Sequence, residues 1–240
     1  NDPYLQLFYL FLQKVYPKKM FSMTLHSCFE KSVYYERYSI VKRLFRKTIL
    51  KISLKQSKAL VFVSNAGKES FVSEFRIAKE KLFVAYNGIG IQKLKQGREF
   101  KKQKNDIPQI LYMGRLNKVK GVHLLIQAIA KLQTKYHFNL VIVGEGPERR
   151  KLELLVEQLS LTGIVVFEGQ QSDVMPYLEK ADVFVYPSTW KEVFGISIVE
   201  AMAFGVMCVA NSVGGIPEII QDGENGFLTQ ETSAEGVEKA

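Results

Sequence analysis

Two acids, Glu192 and Glu200, stand eight positions apart in the stretch STWKEVFGISIVEAMAFG (188–205), with Phe194-Gly195 between them and an apolar run after. The run 182–188 predicts a strand ending at Pro187. KEVFG predicts the loop after it, and ISIVEAMA predicts a helix closed by Gly205. The amides of Phe194, Gly195 and Ile196 then open that helix, where free N–H groups and the positive end of the helix dipole favour phosphate or sugar oxygens. Glu192 sits in the loop, and Glu200 lies about one turn into the helix. Carboxylates accept hydrogen bonds from hydroxyl groups. Acceptors beside amide donors, at the carboxyl end of a strand, suit a ligand that carries both phosphate and polyol, as a nucleotide sugar does. The plainer alternative is two solvated surface acids.

A second group lies in MGRLNKVKG (113–121), again between a strand and a helix. Gly114 permits close backbone approach. Arg115 can grip a diphosphate with two parallel N–H groups, and Lys120 adds a compact charge. Lys118 competes with Lys120 for this role, and two solvated cations are the alternative to both. A third stretch, VGEGPERRK (143–151), has Gly144 and Gly146 after a strand but lacks the third glycine of a dinucleotide fingerprint. A tight turn feeding a helix explains it. That missing glycine counts against a dinucleotide-dependent epimerase of similar sheet architecture. The sequence contains no Asp-x-Asp pair, so no metal ligand set is expected and no cofactor is implied. His26 follows the strand-like run FSMTLH, a position more often structural than catalytic. His123 and His137 have no partner motif.

These groups need a scaffold. Short runs rich in Val, Ile, Phe and Tyr recur at 19–26, 59–64, 82–86, 109–114, 138–144, 164–169, 182–188 and 206–210, mostly without alternation, as buried parallel strands require. Amphipathic stretches separate them, at 31–58, 121–135, 147–160 and 172–180, the last holding Pro176 in a short or kinked helix. In 121–135, Val122, Leu125, Ile126, Ile129 and Leu132 share one face. Strand–helix alternation specifies a parallel α/β sheet. The polar stretch 91–108 breaks the rhythm and is expected to be a linker. It separates a partial first domain, 1–106 with its linker, from a second domain, 107–240, with five strand–helix repeats.

The chain has 240 residues, 47% of them hydrophobic, enough to bury substantial cores. Cys28 and Cys208 lie far apart in apolar surroundings, against a disulfide framework and consistent with a reducing cytoplasm. No run is long enough to span a bilayer. The beginning NDPYLQLFYLFLQKVYP has no signal-peptide pattern, and the chain is expected to be a fragment. The net charge of +9 is concentrated: 31–58 holds nine Lys/Arg against the single Glu36. Tyr34, Tyr38, Val41, Phe45, Ile49 and Ile52 would share a stripe there with cations around it. This is either a solvated helix or a surface that meets anionic lipid headgroups or a lipid-linked substrate. No nucleic-acid module accompanies the charge, so no nucleic-acid partner is expected.

In this order, VFVSNAGKES, ILYMGRLNKVKGVHLLIQAI, LVIVGEGPERRKLE, VFVYPSTWKEVFGISIVEAMAFG and GGIPEIIQDGENGFL resemble the retaining glycosyltransferases of family 4, over about 59–228 and more loosely 19–58. The resemblance implies a GT-B-like fold of two Rossmann-like parallel-sheet domains, the N-terminal one incomplete here. It implies transfer of a sugar, with retention and without metal, from a nucleotide sugar to a glycan or lipid-linked acceptor in cell-envelope polysaccharide synthesis. The setting would be cytoplasmic, at the inner face of the membrane. A noncatalytic nucleotide-sugar-binding remnant is the alternative. Carried over position by position, Arg115 and Lys120 would hold the donor diphosphate beside Gly114, and Glu200 the ribose. Glu192 would touch the donor sugar with the Phe194, Gly195 and Ile196 amides beside it. Backbone near Gln171 would read the base, and His26 would lie near the sugar.

Overall fold

The computed structural model describes residues 3–16, 18, 20–26, 39–90 and 106–240. The chain divides into two compact units, Asn1–Asn87 and Gly88–Ala240. The expected linker lies almost wholly in 91–105, outside the described residues.

In the first unit, helix α1 (Pro3–Val15) precedes β1 (Ser22–Leu25), α2 (Ile40–Gln56), β2 (Ala59–Phe62), α3 (Asn65–Phe75) and β3 (Leu82–Val84). The three strands form a parallel sheet in the order β1-β2-β3. Its core gathers Leu25, Leu50, Leu54, Leu60, Phe62, Phe71 and Phe75. Ser64 starts α3 by accepting the Gly67 amide at 3.0 Å, which satisfies one of the orphan donors of the first turn. Helix α1 was not foreseen: its sequence reads as an apolar run without a clear stop signal. The expected stripe on 31–58 needs correction. Val41, Phe45 and Ile52 are exposed, but Ile49, at the flank of that stripe, is buried. Tyr34 and Tyr38 lie outside the described residues.

The second unit runs β4 (Gln109–Met113), α4 (Val122–Leu132), β5 (Asn139–Val143), α5 (Arg149–Gln158), β6 (Val165–Gly169), α6 (Met175–Lys180), β7 (Val183–Tyr186), α7 (Ile196–Ala203), β8 (Met207–Asn211), β9 (Phe227–Thr229) and α8 (Ala234–Lys239). Six strands pair in the order β6-β5-β4-β7-β8-β9, all parallel. The expected five become six because Phe227–Thr229 is only three residues long and lacks a recognisable run. Pro176 falls in the first turn of α6, so that helix is short rather than kinked.

Alternate residues of each strand feed two apolar layers. Tyr112, Leu140, Ile142 and Val185 pack with Leu125, Ile126 and Ile129 of α4 on one side. Leu111, Met113, Val141, Phe184 and Tyr186 pack with Ile198 and Ala201 of α7 on the other. From β4 the chain steps outward to β5 and β6, then returns to place β7 against β4 and steps outward again through β8 and β9. The order therefore reverses between β4 and β7. The loops leaving their carboxyl ends therefore meet at the switch point, the place where such sheets bind ligands.

Those two loops are stitched together before any ligand is considered. The Thr189 amide donates to the Val119 carbonyl at 2.9 Å. Gly121 ends the loop after β4 with φ +69°, and a Cβ there would lie 1.9 Å from the Pro187 carbonyl oxygen. Gly163 also has positive φ, +90°, but a Cβ there would meet nothing within 4 Å. Gly121→Ala is therefore expected to cost at least about 3 kcal/mol, through backbone strain plus the forced separation of the loops. Gly163→Ala, with strain alone, is expected to cost about 1 kcal/mol. Urea unfolding of the two variants measures the difference, and equal costs would contradict this account of the close approach.

Candidate functional site

Each loop at this edge of the sheet has a local reason for its shape. After β4, Asn117 closes the 3₁₀ turn Lys118–Lys120 by accepting the Lys120 amide at 3.2 Å through its side-chain oxygen. The turn carries the Lys120 side chain toward β7. After β7, the Ser188 hydroxyl donates to Glu192 Oε1 at 2.7 Å and itself accepts the Trp190 amide at 3.3 Å, folding the loop back on itself. After β8, the Gly215 amide donates to the Glu192 carbonyl at 2.7 Å. Gly214 lies so close that a Cβ would stand 2.1 Å from that same oxygen. Glu192 is thus fixed through backbone and side chain by two loops.

Lys120 and Glu192 meet. Lys120 Nζ lies 2.6 Å from Glu192 Oε1 and donates to the Tyr186 hydroxyl at 2.8 Å. It also stands 5.2 Å from the centroid of the Tyr186 ring, within cation–π range. Glu192 is only 9% exposed and Tyr186 5%, so the ion pair is largely withdrawn from water. Burial, with the Glu192 carboxylate next, pushes the Tyr186 hydroxyl well above the ordinary tyrosine range. Burial does the same to Tyr112, followed by Tyr186 and Glu192. Both phenols stay neutral at any physiological pH. Removing one partner of a buried pair leaves an uncompensated charge, a cost of about 3–5 kcal/mol. Of the two lysines on this loop, Lys118 is exposed and Lys120 reaches Glu192.

Arg115 occupies a second position on the same loop. It is exposed, and its carbonyl accepts the Tyr112 hydroxyl at 3.2 Å. With Gly114, Gly144, Glu145, Gln171 and Val174 it lines a cavity of about 570 Å³. Gly144 lets the loop after β5 close on that after β4, because a Cβ there would stand 1.9 Å from the Gly114 oxygen. The Gln171 side-chain amide donates to the Glu168 carbonyl at 2.7 Å, so it is committed to its own loop. Glu145 on the cavity wall is held by Arg149, which also bonds Glu153 at 2.9 Å.

Helix α7 begins after Gly195, whose lack of a side chain leaves the first-turn amides without a side-chain cap. Gly195 is buried, Phe194 half-buried and Ile196 exposed at the helix entrance. Glu200 is half-buried in the second turn, and burial raises its carboxyl above the usual 4.5. Among the described residues no side chain pairs with its carboxylate. The structure therefore joins Lys120 directly to Glu192, gathers Gly114, Arg115 and Gln171 around one cavity, and sets Phe194–Ile196 and Glu200 on the head of α7. His26 belongs to the first unit, where it is exposed just past β1. Tyr186, Ser188 and Gly214 escaped sequence reasoning. Pro-Ser at a strand end and the Gly-Gly after β8 were the available signals; nothing distinguished Tyr186 from a core aromatic.

Comparison with known proteins adds the following. The family model described as glycosyl transferases group 1 matches residues 95–240. The chain is 39% identical over 128 residues to the N-acetyl-alpha-D-glucosaminyl L-malate synthase of Bacillus anthracis, covering 53% of this chain and 33% of that protein. It is 38% identical over 135 residues to the lipopolysaccharide core biosynthesis glycosyltransferase LpsE of Rhizobium meliloti, covering 56% of this chain and 38% of that protein. The chain thus spans little more than a third of these relatives. The crystal structure of HepE of Anabaena in complex with UDP superposes with a TM-score of 0.79 at 23% identity, over 100% of this chain and 66% of that one. The parallel α/β architecture is the one seen in GT-B glycosyltransferase structures such as HepE and WaaG.

The half-buried, unpaired Glu200 supplies a test. A raised folded pKa means that ionisation opposes folding. The group's stability contribution is complete below 4.5 and is lost as pH rises through the raised value. Glu200→Gln is therefore expected to be at least as stable as the parent at pH 7, the gap closing as pH falls toward 4.5. Urea unfolding at several pH values checks this, and a less stable Gln variant at pH 7 would show that Glu200 is a structural rather than a ligand-facing acid.

Proposed function

The chain belongs to the glycosyl transferases group 1, and we propose that it moves a sugar from a nucleotide-sugar donor to a glycan or lipid-linked acceptor, with retention and without metal. One observation carries the reading: the loops after β4 and β7, tied together at the switch point, present Arg115, Lys120, Glu192 and the uncapped head of α7 on one edge of one sheet. Relatives and structural counterparts support it. One relative's name places it in lipopolysaccharide core biosynthesis, and HepE was crystallised with UDP.

In this reading Arg115 and Lys120 hold the donor diphosphate. As the bond to the sugar breaks, negative charge grows on the leaving β-phosphate. Cations and helix amides already in place stabilise that charge without reorganising. Glu200 would accept the ribose hydroxyls and Glu192 a hydroxyl of the sugar. The cavity beside Gly114 and Gln171 would receive the base. A donor phosphate oxygen would help take the acceptor proton, so that attack occurs on the face the nucleotide leaves. His26 is proposed to lie near the sugar.

The proposal extends to setting: the cytoplasm, at the inner face of the membrane. Helix α2 has no acid and carries exposed Lys42, Lys51 and Lys55, with Ile40, Val41, Leu44 and Phe45 also exposed. Such a helix suits a surface of anionic lipid. No described helix is long and apolar enough to cross a membrane.

Incubation of the chain with a panel of nucleotide sugars and a lipid-linked or glycan acceptor, with product analysis, tests the proposal. Transfer is expected with one donor, and Arg115→Ala is expected to lower kcat/KM for it about 100-fold. Binding without transfer would assign the noncatalytic reading instead. Transfer unchanged by Arg115→Ala would remove the diphosphate role.

A further inference from the structure

Lys120 and Glu192 pose a chemical question that donor binding alone does not answer. An ammonium has three N–H donors. One is spent on Glu192 Oε1 and one on the Tyr186 hydroxyl, at 2.6 and 2.8 Å. Glu192 Oε1 in turn accepts from both Lys120 and Ser188, the latter at 2.7 Å. The cation assigned to the diphosphate and the acid assigned to the sugar are thus bonded to each other, in a place where neither is well solvated.

We propose that Glu192 competes internally with the donor's pyrophosphate for Lys120, so that the site recognises diphosphate and sugar as one unit. This rests on the functional reading above. A pyrophosphate that draws Lys120 away strips Glu192 of its counter-ion. A buried carboxylate without a partner is costly, and a sugar hydroxyl that donates to it offsets the cost. The intact donor supplies both replacements. A nucleoside diphosphate without its sugar supplies only one, so Glu192 takes Lys120 back and the nucleotide is held weakly. Once the sugar has been transferred, the same competition helps expel the product. Tyr186 is a positioning residue in this device: its hydroxyl and ring hold the ammonium between the two alternatives.

The test needs no knowledge of the base or sugar. Inorganic pyrophosphate is titrated into the chain at fixed ionic strength. Binding is followed by calorimetry and by the fluorescence of Trp190, the single tryptophan of the sequence and two residues from Glu192. Glu192→Gln is expected to bind pyrophosphate about tenfold more tightly than the parent. In a Lys120→Met background the same Glu192→Gln change is expected to bring no gain, whereas a general loss of negative charge would still bring one. Ser188→Ala removes the other donor to Glu192 Oε1 while keeping its charge, so Glu192 holds Lys120 harder and pyrophosphate binding is expected to weaken about threefold. It carries the test if the Gln variant does not fold. Equal or weaker binding by Glu192→Gln, a gain from that change in the Lys120→Met background, equal or tighter binding by Ser188→Ala, or no binding by any protein would each overturn the proposal. Transfer from a nucleotide sugar with no such tightening overturns the competition alone. Tightening without transfer from any donor leaves the competition standing and removes the enzymatic reading.

Discussion

A lysine and a glutamate that share little water, on loops separated by more than seventy residues, set the terms for the second unit. The ion pair is tolerable because each member has further partners, Lys120 in Tyr186 and Glu192 in Ser188 and the loop after β8. That demands that the loops after β4 and β7 lie side by side. Strand order supplies this, since β4 and β7 are neighbours only because the sheet reverses direction between them. The Val119–Thr189 hydrogen bond, and the glycines that let backbone meet backbone at Pro187 and Glu192, serve the same demand. Packing that fixes the loops also keeps water away from the charges, which strengthens every interaction they make.

Much of this scaffold was legible because its central strands, β4, β5, β7 and β8, are buried on both faces. Near-continuous Val, Ile, Phe and Tyr runs between amphipathic stretches have few other solutions. The spacing of Glu192 and Glu200 also fixed their places, one in a loop and one a turn into a helix, since both ends of that helix carry their own glycine signals. Other features were illegible for physical reasons. β9 is three residues long, and its pairing with β8 is decided by tertiary contact rather than local pattern. Ile49 turned inward because a helix with apolar residues on most of its faces gives no unique stripe. Tyr186 has the composition of a core residue, and only the position of its hydroxyl gives it a second task. Which of Lys118 and Lys120 reaches Glu192 depends on the 3₁₀ turn that Asn117 closes, which no spacing rule encodes.

Glu192 and Glu200 differ in the way a binding site requires. Glu192 is satisfied within the protein and, in the proposed role, must be released from Lys120 to meet a sugar hydroxyl. Glu200 lacks a partner among the described residues, and burial raises its pKa, so it waits at a cost in stability. A fold selected for stability alone would not keep the second acid and would have little reason to bury the first. Both make sense at a site where a ligand brings hydroxyl groups to one and phosphate to the partner of the other.

The central claim is that Lys120 and Glu192 are bonded across the two loops, and a double-mutant cycle measures this most directly. Lys120→Met, Glu192→Gln and the double variant are compared with the parent by urea unfolding at pH 7. The account predicts a coupling of about 1–3 kcal/mol, with the double variant less damaged than the two single costs imply. A coupling within about 0.3 kcal/mol of zero, as for residues that do not touch, would contradict it.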